Sequence, residues 1–563
     1  MSSARPSRRG ILALLGPYLR PELGPLALAL GLGLVIAALS ALQPLLTRVV
    51  IDQGLIGQRF DRLVAACAGM LALALAGFAL GAVHRAVYVR ASGRVLFALR
   101  GAAYAHLLRV SPRRLAERPV GELVTRLDGD VAEVQRFGTD SVATLLGSVL
   151  SALAVGLVMV GLSWRLSLLV VALLPLQLLV RHYARPRIEA STRAVREQAG
   201  RVGAFLIETL GGARAVQGAA AGAEEGRRLG ALGEGYLARV GRQQLVAYAT
   251  GSAAGLLGHL TTAATFVLGG WYVLNGSLTV GTLIAFVAYL GRTAASAASI
   301  AGLYTGYQRA RVSLERVEQL FALEAVAERP DARPLPAHAR GALTFEGVTV
   351  RLPREGRALL DAVSFDLAAG RKLVLRGASG AGKTTIADLL RRFVDPDEGR
   401  ILLDGVGLTE LRLDDLRRRV VVVEHSPLLF RGSILENLRY GHPEANEAAV
   451  LEAALHAGVD AFVRELPDGY RTEVGEGGAG LSTGQRQRVA IARAALADPL
   501  VVILDEATSG LDRDAARAVL AALDGSFPDR TRIVITHQAL DLERVDECWL
   551  LEAGTLGPAT LDG

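Results

Sequence analysis

GASGAGKTT, Gly377 to Thr385, decides the fold of the C-terminal part of this chain. It follows a strand-like run, RKLVLRG, and leads into TTIADLLRRF, whose apolar residues recur at helical spacing. The pattern GxxxxGK[ST] carries meaning only between a strand and a helix, and both are expected here. Glycines at 377, 380 and 382 let the backbone curl with its N–H groups toward phosphate. Lys383 offers a point charge to the β and γ phosphates and Thr384 a hydroxyl to Mg²⁺, while the helix N-terminus adds a favourable field. Ser379, Gly380 and Thr385 complete the nucleotide-binding set expected of this loop. ATP or GTP binding follows from the segment alone.

Downstream, VVILDEATSGLD (Val501 to Asp512) opens with four apolar residues, as a buried strand does, and ends that strand in two acids. Asp505 is placed to hold Mg²⁺ through its water shell. Glu506 is placed to accept a proton from the attacking water, or to orient it. His537, after the strand TRIVIT, is expected to contact the γ-phosphate and position the same water. LTFEGVTVRL and VSFDLAAG read as further strands, so an α/β P-loop domain is expected over residues 343–563. A linker rich in proline, alanine and charge precedes it over 322–342.

Residues 1–321 read differently. At 563 residues, 51% hydrophobic and mean hydropathy +0.34, the chain is too apolar for a single ordinary soluble domain, and the excess lies before about residue 303. Six spans fit: Leu23 to Val49, Leu63 to Val87, Ala143 to Gly161, Leu166 to Val180, Val246 to Leu268 and Leu278 to Ile300. Arginines crowd one set of flanks: Arg5, Arg8, Arg9 and Arg20 before the first span, and Arg90, Arg94, Arg100, Arg109, Arg113 and Arg114 after the second. Arg181, Arg185 and Arg187 follow the fourth, and Arg309, Arg311 and Arg316 the sixth. The opposite loops are short and poor in arginine, so both termini are expected in the cytosol. The basic MSSARPSRRG lacks a following cleavage signal and reads as a cytosolic tail. Membrane topology accounts for the net charge of +7 without nucleic acid, and Cys67 and Cys548 have no metal or disulfide spacing.

The inner connections are long. No proline occurs from Leu63 to Val110, so the second helix is expected to run roughly 70 Å. It should break at Pro112 and Pro119 and resume with Leu123, Leu127 and Val131 on one face. That segment is either a charged connector or a short helix touching the nucleotide domain. His84 and His259 lie in or beside spans, where ionisable groups are costly.

Taken together, these motifs resemble a bacterial ABC exporter half-transporter, over nearly the whole length. LSTGQRQRVAIARA resembles the family signature, Ser509 to Asp512 its D-loop, Thr472 to Glu476 its X-loop, and GELVTRLDGD its first coupling region. The resemblance implies an all-α six-helix transmembrane domain fused to an α/β ATP-binding cassette, with ATP and Mg²⁺ as cofactors. It implies a dimer in which Ser482 to Gln485 of one chain, Gly484 among them, close on ATP held by Lys383 of the other, with Asp512 also among the nucleotide-binding residues. Three positions depart from the family pattern. Leu352 stands where an aromatic residue stacks on adenine, and His425 where a glutamine touches Mg²⁺. Thr483 stands in the signature where glycine supplies backbone freedom. Thr483 beside a retained Glu506 favours a heterodimer of two half-transporters over a homodimer. The function expected is ATP-driven export of an amphipathic or hydrophobic substrate, a small molecule, lipid or peptide, across the bacterial cytoplasmic membrane. The alternatives are a nucleotide-gated regulator or channel subunit, or an uptake system built on the same fold.

Overall fold

The computed structural model describes residues 10–351, 357–378, 380–509, 511–536 and 545–559. From the N-terminus its helices are α1 (Ile11–Leu19), α2 (Leu23–Val49), α3 (Phe60–Leu107), α4 (Pro112–Ala116), α5 (Val120–Thr125) and α6 (Val131–Arg136). They continue with α7 (Val142–Leu162), α8 (Trp164–Gly211), α9 (Ala213–Gly218), α10 (Gly222–Leu274) and α11 (Val280–Phe321). Two compact units result: Met1–Ala103 with Leu123–Leu320, and Tyr104–Glu122 with Phe321–Gly563.

The first unit is helical because its sequence is apolar over lengths that leave backbone groups no other partners. Among the described residues, Ala13–Ile56, Phe60–Leu107, Val120–Leu162 and Gly222–Leu274 are each long and apolar enough to cross a membrane. The expected fourth and sixth spans lie in α8 and α11, whose described apolar stretches are Trp164–Leu173 and Val280–Thr293. α3 holds 48 residues, about 72 Å at 1.5 Å per residue, in line with the proline-free run. Large apolar side chains such as Phe78, Val267 and Leu274 face outward from the chain, as lipid-facing residues do. Val155, Met159, Leu166, Leu283, Phe286 and Tyr289 form a buried knot joining α7, α8 and α11. Asp52, in the π-helical turn after α2, caps the start of α11: it accepts from Gly281 N (2.8 Å) and Thr279 Oγ1 (2.5 Å). A Cβ on Gly281 would lie 2.7 Å from Arg48 O and from Asp52 Oδ1, so glycine permits this approach.

The second unit contains β1 (Leu343–Arg351), β2 (Ala358–Leu367), β3 (Lys372–Gly377), β4 (Glu398–Leu403), β5 (Val406–Gly407) and β6 (Val420–Val423). Then follow β7 (Gly432–Ser433), β8 (Glu473–Val474), β9 (Val501–Asp505), β10 (Thr531–Ile535), β11 (Glu547–Glu552) and β12 (Thr555–Pro558). The principal sheet runs β12-β11-β3-β10-β9-β6 and is parallel except at the β12 edge. A second sheet, β2-β1-β4-β5, is antiparallel. Strand period divides the core in two. Leu373, Leu375, Val501, Ile503, Ile533 and Ile535 pack toward the antiparallel sheet. Val374, Val502, Leu504 and Val534 pack on the opposite face against α14 (Ile434–Leu438), α15 (Glu447–His456), α16 (Val459–Val463), α17 (Thr483–Leu496) and α18 (Arg513–Ser526). α12 (Lys383–Leu390) and α13 (Leu413–Arg419) supply Ile386, Leu389 and Leu416 to the first core.

Tyr104–Glu122 clusters with the second unit. Val110 and Ala325 form an antiparallel bridge, Val326 N donates to Arg109 O at 3.0 Å, and Arg114 pairs with Glu324 at 2.7 Å. His106 adds a 3.0 Å contact from Nε2 to Leu323 O. The stretch from His106 to Arg114 is thus bound to residues 323–326, at the start of the chain that enters the cassette.

Candidate nucleotide site

Three parallel strands deliver the site at their C-terminal ends, where an open α/β sheet places its ligand crevice. β3 ends at Gly377, with φ at +155°; a Cβ there would stand 2.5 Å from Leu551 O on β11. The loop closes at Gly382, φ +104°, immediately before α12. Both positions need glycine, the first for space and the second for its left-handed backbone. Gly380 differs from them. It is exposed on the turn of the loop, and a Cβ on it would meet no atom within 4 Å, so its one demand for glycine is the backbone angle, φ +80°.

Lys383 begins α12 and is 4% exposed. Its Nζ donates to Gly377 O (2.8 Å) and Ala378 O (2.9 Å) and stands 3.4 Å from Glu506 Oε1. Thr384 hydrogen-bonds the Asp505 carboxylate at the end of β9. Asp505 is 8% exposed and its Oδ1 has no protein partner among the described residues. A buried carboxylate oxygen with no donor, beside a threonine hydroxyl, is a hard-oxygen set that fits Mg²⁺. Thr384, His425 and Asp505 line one cavity of about 290 Å³, together with Ala387, Asp388, Arg391, Glu424 and others.

The rest of the loop stands apart from that cavity, although the sequence places it in the same nucleotide-binding set. Gly377, Gly380, Gly382, Lys383 and Thr385 do not line it. The Lys383 side chain folds back onto Gly377 O and Ala378 O, and Gly380 is exposed. Thr385 is buried in the first turn of α12.

Glu506 adopts φ +48°, uncommon for a side chain of its size, and its N–H donates to Ile535 O at 3.0 Å. That bond to β10 fixes the turn that aims the residue away from the strand. His425 Nδ1 lies 3.0 Å from the Glu506 carbonyl, so the ring is the donor through Nδ1–H. Gln487 in turn donates from Nε2 to Glu424 O (3.0 Å) and His425 O (2.7 Å) while fully buried. A continuous path of hydrogen bonds therefore joins the signature helix α17, the 424–425 turn and the strand that carries the acids.

Ser482 caps α17: its Oγ accepts from Gln485 N (3.3 Å), and Gln485 Oε1 accepts from Ser482 N (2.8 Å), a reciprocal capping box. Gly484 packs near Ala515, and Asp512 caps α18 through Ala515 N at 2.7 Å. None of Ser482, Gly484, Gln485 and Asp512 lines the cavity that Thr384, His425 and Asp505 share. Thr483 is the first helical residue of α17, without positive φ, and its Oγ1 accepts from Arg486 at 3.1 Å. The backbone at 483 makes no demand that threonine fails to meet, so the freedom expected of glycine there is not needed for this fold. Leu352, Ser379 and His537 lie outside the described residues.

Sequence reasoning overlooked Gln487 and Asp388. Gln487 had a readable mark: with Ala490, Ile491 and Ala494 it falls on the buried stripe of α17, where an amide needs partners. Asp388 falls one turn after Thr384, on a helix whose face toward the site is not evident from spacing.

Burial raises the pKa of Asp505, with Thr384 pulling the other way, and burial likewise raises that of Asp388. A carboxyl that is harder to ionise when folded favours folding below its ordinary 3.8, and this contribution is lost as pH rises through the raised value. At neutral pH both groups therefore cost stability in nucleotide-free protein. Asp505→Asn is expected to raise the unfolding temperature in EDTA at pH 7.5, a gain on the order of 1 kcal/mol that shrinks toward pH 5. Differential scanning fluorimetry across that range checks it; a lower unfolding temperature at pH 7.5 contradicts the burial argument.

The chain matches two families. Residues 26–294 match the ABC transporter transmembrane region, and residues 360–509 match the ABC transporter family. An ATP-dependent lipid A-core flippase of Thiobacillus denitrificans is 33% identical over 98% of this chain and 95% of its own. A multidrug efflux ATP-binding/permease protein of Mycobacterium tuberculosis is 34% identical over 96% of this chain but 45% of its own, so this chain spans about half of it. Among solved structures, a bacterial Atm1-family ABC exporter with ATP bound superposes with a TM-score of 0.77 at 26% identity, over 97% of this chain and 96% of that one.

Proposed function

We propose a function from one premise: this chain belongs to the ABC transporter family, as an exporter-type membrane region fused to an ATPase cassette. It is a multi-pass inner-membrane protein whose ATPase domain binds ATP and couples its turnover to transport. Our reading is export of an amphipathic or hydrophobic substrate across the cytoplasmic membrane, with both termini and the cassette on the cytosolic side. The observation that carries the catalytic part is the meeting of Lys383 and Glu506 at 3.4 Å beside Asp505 and Thr384.

In this reading Lys383 exchanges its two backbone acceptors for phosphate oxygens of ATP, and the glycine loop through Gly380 turns its N–H groups to the same phosphates. Thr384, Asp505 and His425 hold Mg²⁺, which neutralises phosphate charge when bound. Glu506 orients the attacking water and takes its proton. Gln487 keeps the 424–425 turn, and hence the His425 ring, against the Glu506 carbonyl. Ser482, Gly484, Gln485 and Asp512 serve the ATP of a second half-transporter. The length of the mycobacterial relative, about twice that of this chain, supports that division. We favour a heterodimer on the strength of Thr483 beside a retained Glu506; Leu352 and His425, which also depart from the family pattern, fit that arrangement less well. The relatives named above act on lipid A-core and on drugs, and a lipid-like or drug-like amphiphile is the cargo we propose.

Purification of the tagged chain from native membranes, with mass measurement of the intact complex and reconstitution into vesicles, tests this. ATP-driven accumulation of a fluorescent amphiphile in vesicles whose cassettes face outward is expected, with a second, different subunit in the complex. Vesicles that hydrolyse ATP but move no amphiphile would sink the export reading; a complex of identical chains would sink the heterodimer.

A further inference from the structure

The apolar spans contain no aspartate or glutamate, and from Glu234 to Glu315 the chain has no acid between the two. Arg292 nevertheless stands within the sixth span, on α11. Its Nη1 donates to Ser40 O (2.9 Å) and its Nη2 to Ser40 Oγ (2.6 Å), both on α2. One turn earlier, Tyr289 donates its hydroxyl to the neighbouring Ala41 O. α11 is capped by Asp52 at Gly281, so Arg292 lies roughly 16 Å along the helix from that end. Ser40 lies roughly 25 Å along α2 from Leu23. Both figures place the guanidinium well inside a hydrocarbon layer about 30 Å thick.

A guanidinium has five N–H donors, and its acceptors here are two neutral oxygens of one serine. Among the described residues no carboxylate pairs with it. The contrast with Arg48, which reaches Asp52 at 3.5 Å, is direct. A charge at this depth is costly, and Ser40 offsets it only in part. Joining α2 to α11 does not require the charge, because Tyr289 makes an equivalent link one turn away without one. Among the described residues the guanidinium is left with an uncompensated charge and spare N–H donors.

We propose that Arg292 is the recognition group for the anionic head of an amphipathic substrate, a phosphate or carboxylate carried on an apolar tail. Ser40 accepts from two of the guanidinium N–H groups, and the remaining N–H donors pair with the anion in the planar, two-pronged manner that arginine favours. The assignment rests on the exporter reading and narrows its substrate class.

The test uses the purified complex in phosphatidylcholine nanodiscs and four probes: dodecyl phosphate, dodecylphosphocholine, dodecyltrimethylammonium and inorganic phosphate. Binding is measured by equilibrium dialysis without ATP. Dodecyl phosphate is expected to bind at least tenfold tighter than the other two amphiphiles, and inorganic phosphate at least a hundredfold more weakly. Arg292→Gln is expected to bring the three amphiphiles within about twofold of one another, and Arg292→Lys to keep at least a threefold preference for the phosphate head. Retained preference in Arg292→Gln, no preference in the native protein, or inorganic phosphate binding as tightly as dodecyl phosphate each overturns the proposal. Where the glutamine variant does not assemble, loss of all head-group preference in the lysine variant does so. Because dialysis needs no transport, a failure of vesicle export tells against the function reading separately, while this binding pattern still reports on Arg292.

Discussion

Glu506→Gln is expected to reduce steady-state ATP turnover by about 10²- to 10³-fold while leaving ATP binding intact. The exchange is isosteric, and the Glu506 N–H that anchors the turn on Ile535 O is untouched by it. What disappears is the base for the attacking water. The variant also removes the carboxylate that stands 3.4 Å from Lys383 Nζ in nucleotide-free protein, so the lysine loses a competitor for phosphate. ATP affinity should stay level or tighten a few-fold. Phosphate release and equilibrium binding of ATP, measured on the same preparation, separate the two effects. Turnover within tenfold of the native rate would mean that another group activates the water.

The second large effect is Lys383→Ala. The side chain is buried, its charge is compensated by Gly377 O, Ala378 O and Glu506, and no other cation is bonded to those carbonyls among the described residues. Removing it is expected to weaken ATP binding at least a hundredfold and to abolish turnover. Fold damage is distinguishable from loss of the site. Without nucleotide the variant should melt within a few degrees of the native protein, whereas the rise in melting temperature caused by millimolar ATP should vanish, since ligand stabilisation scales with occupancy. A preserved ATP-induced shift would show that the loop amides alone carry the phosphates.

Much of this was readable in one dimension because the decisive features are local. β3, α12, β9 and β10 fall where the apolar runs of RKLVLRG, TTIADLLRRF, VVILDE and TRIVIT put them, since a parallel strand buried on both faces writes an unbroken apolar run. Pro112 and Pro119 marked where the long α3 gives way to α4 and α5. The less legible parts depend on long-range partners. His425 was read as a substitute ligand for Mg²⁺, but its donation to the Glu506 carbonyl depends on two strands meeting in the sheet. Thr483 looked disruptive by residue type and is accommodated because its hydroxyl finds Arg486 one turn away. The three loop glycines read alike in the motif, yet Gly377 is pressed against Leu551 of another strand while Gly380 faces solvent. Arg292 was passed over as one arginine among many. Only its pairing with Ser40, far away in sequence, reveals a charge without an acid.

The grouping of Tyr104–Glu122 with Phe321–Gly563 has a consequence for biosynthesis. The partners of Val110, Arg109 and Arg114 are residues 323–326, so this stretch leaves the ribosome roughly 200 residues before them. At about 5–20 residues per second it waits some 10–40 s for the strand that completes it. During that interval four further spans must be inserted. The unit that contains the cassette is therefore completed last, and a fragment beginning at residue 322 lacks the partners of its residues 323–326. Coexpressing such a fragment with a peptide covering residues 104–122 should recover folded cassette that the fragment alone yields poorly.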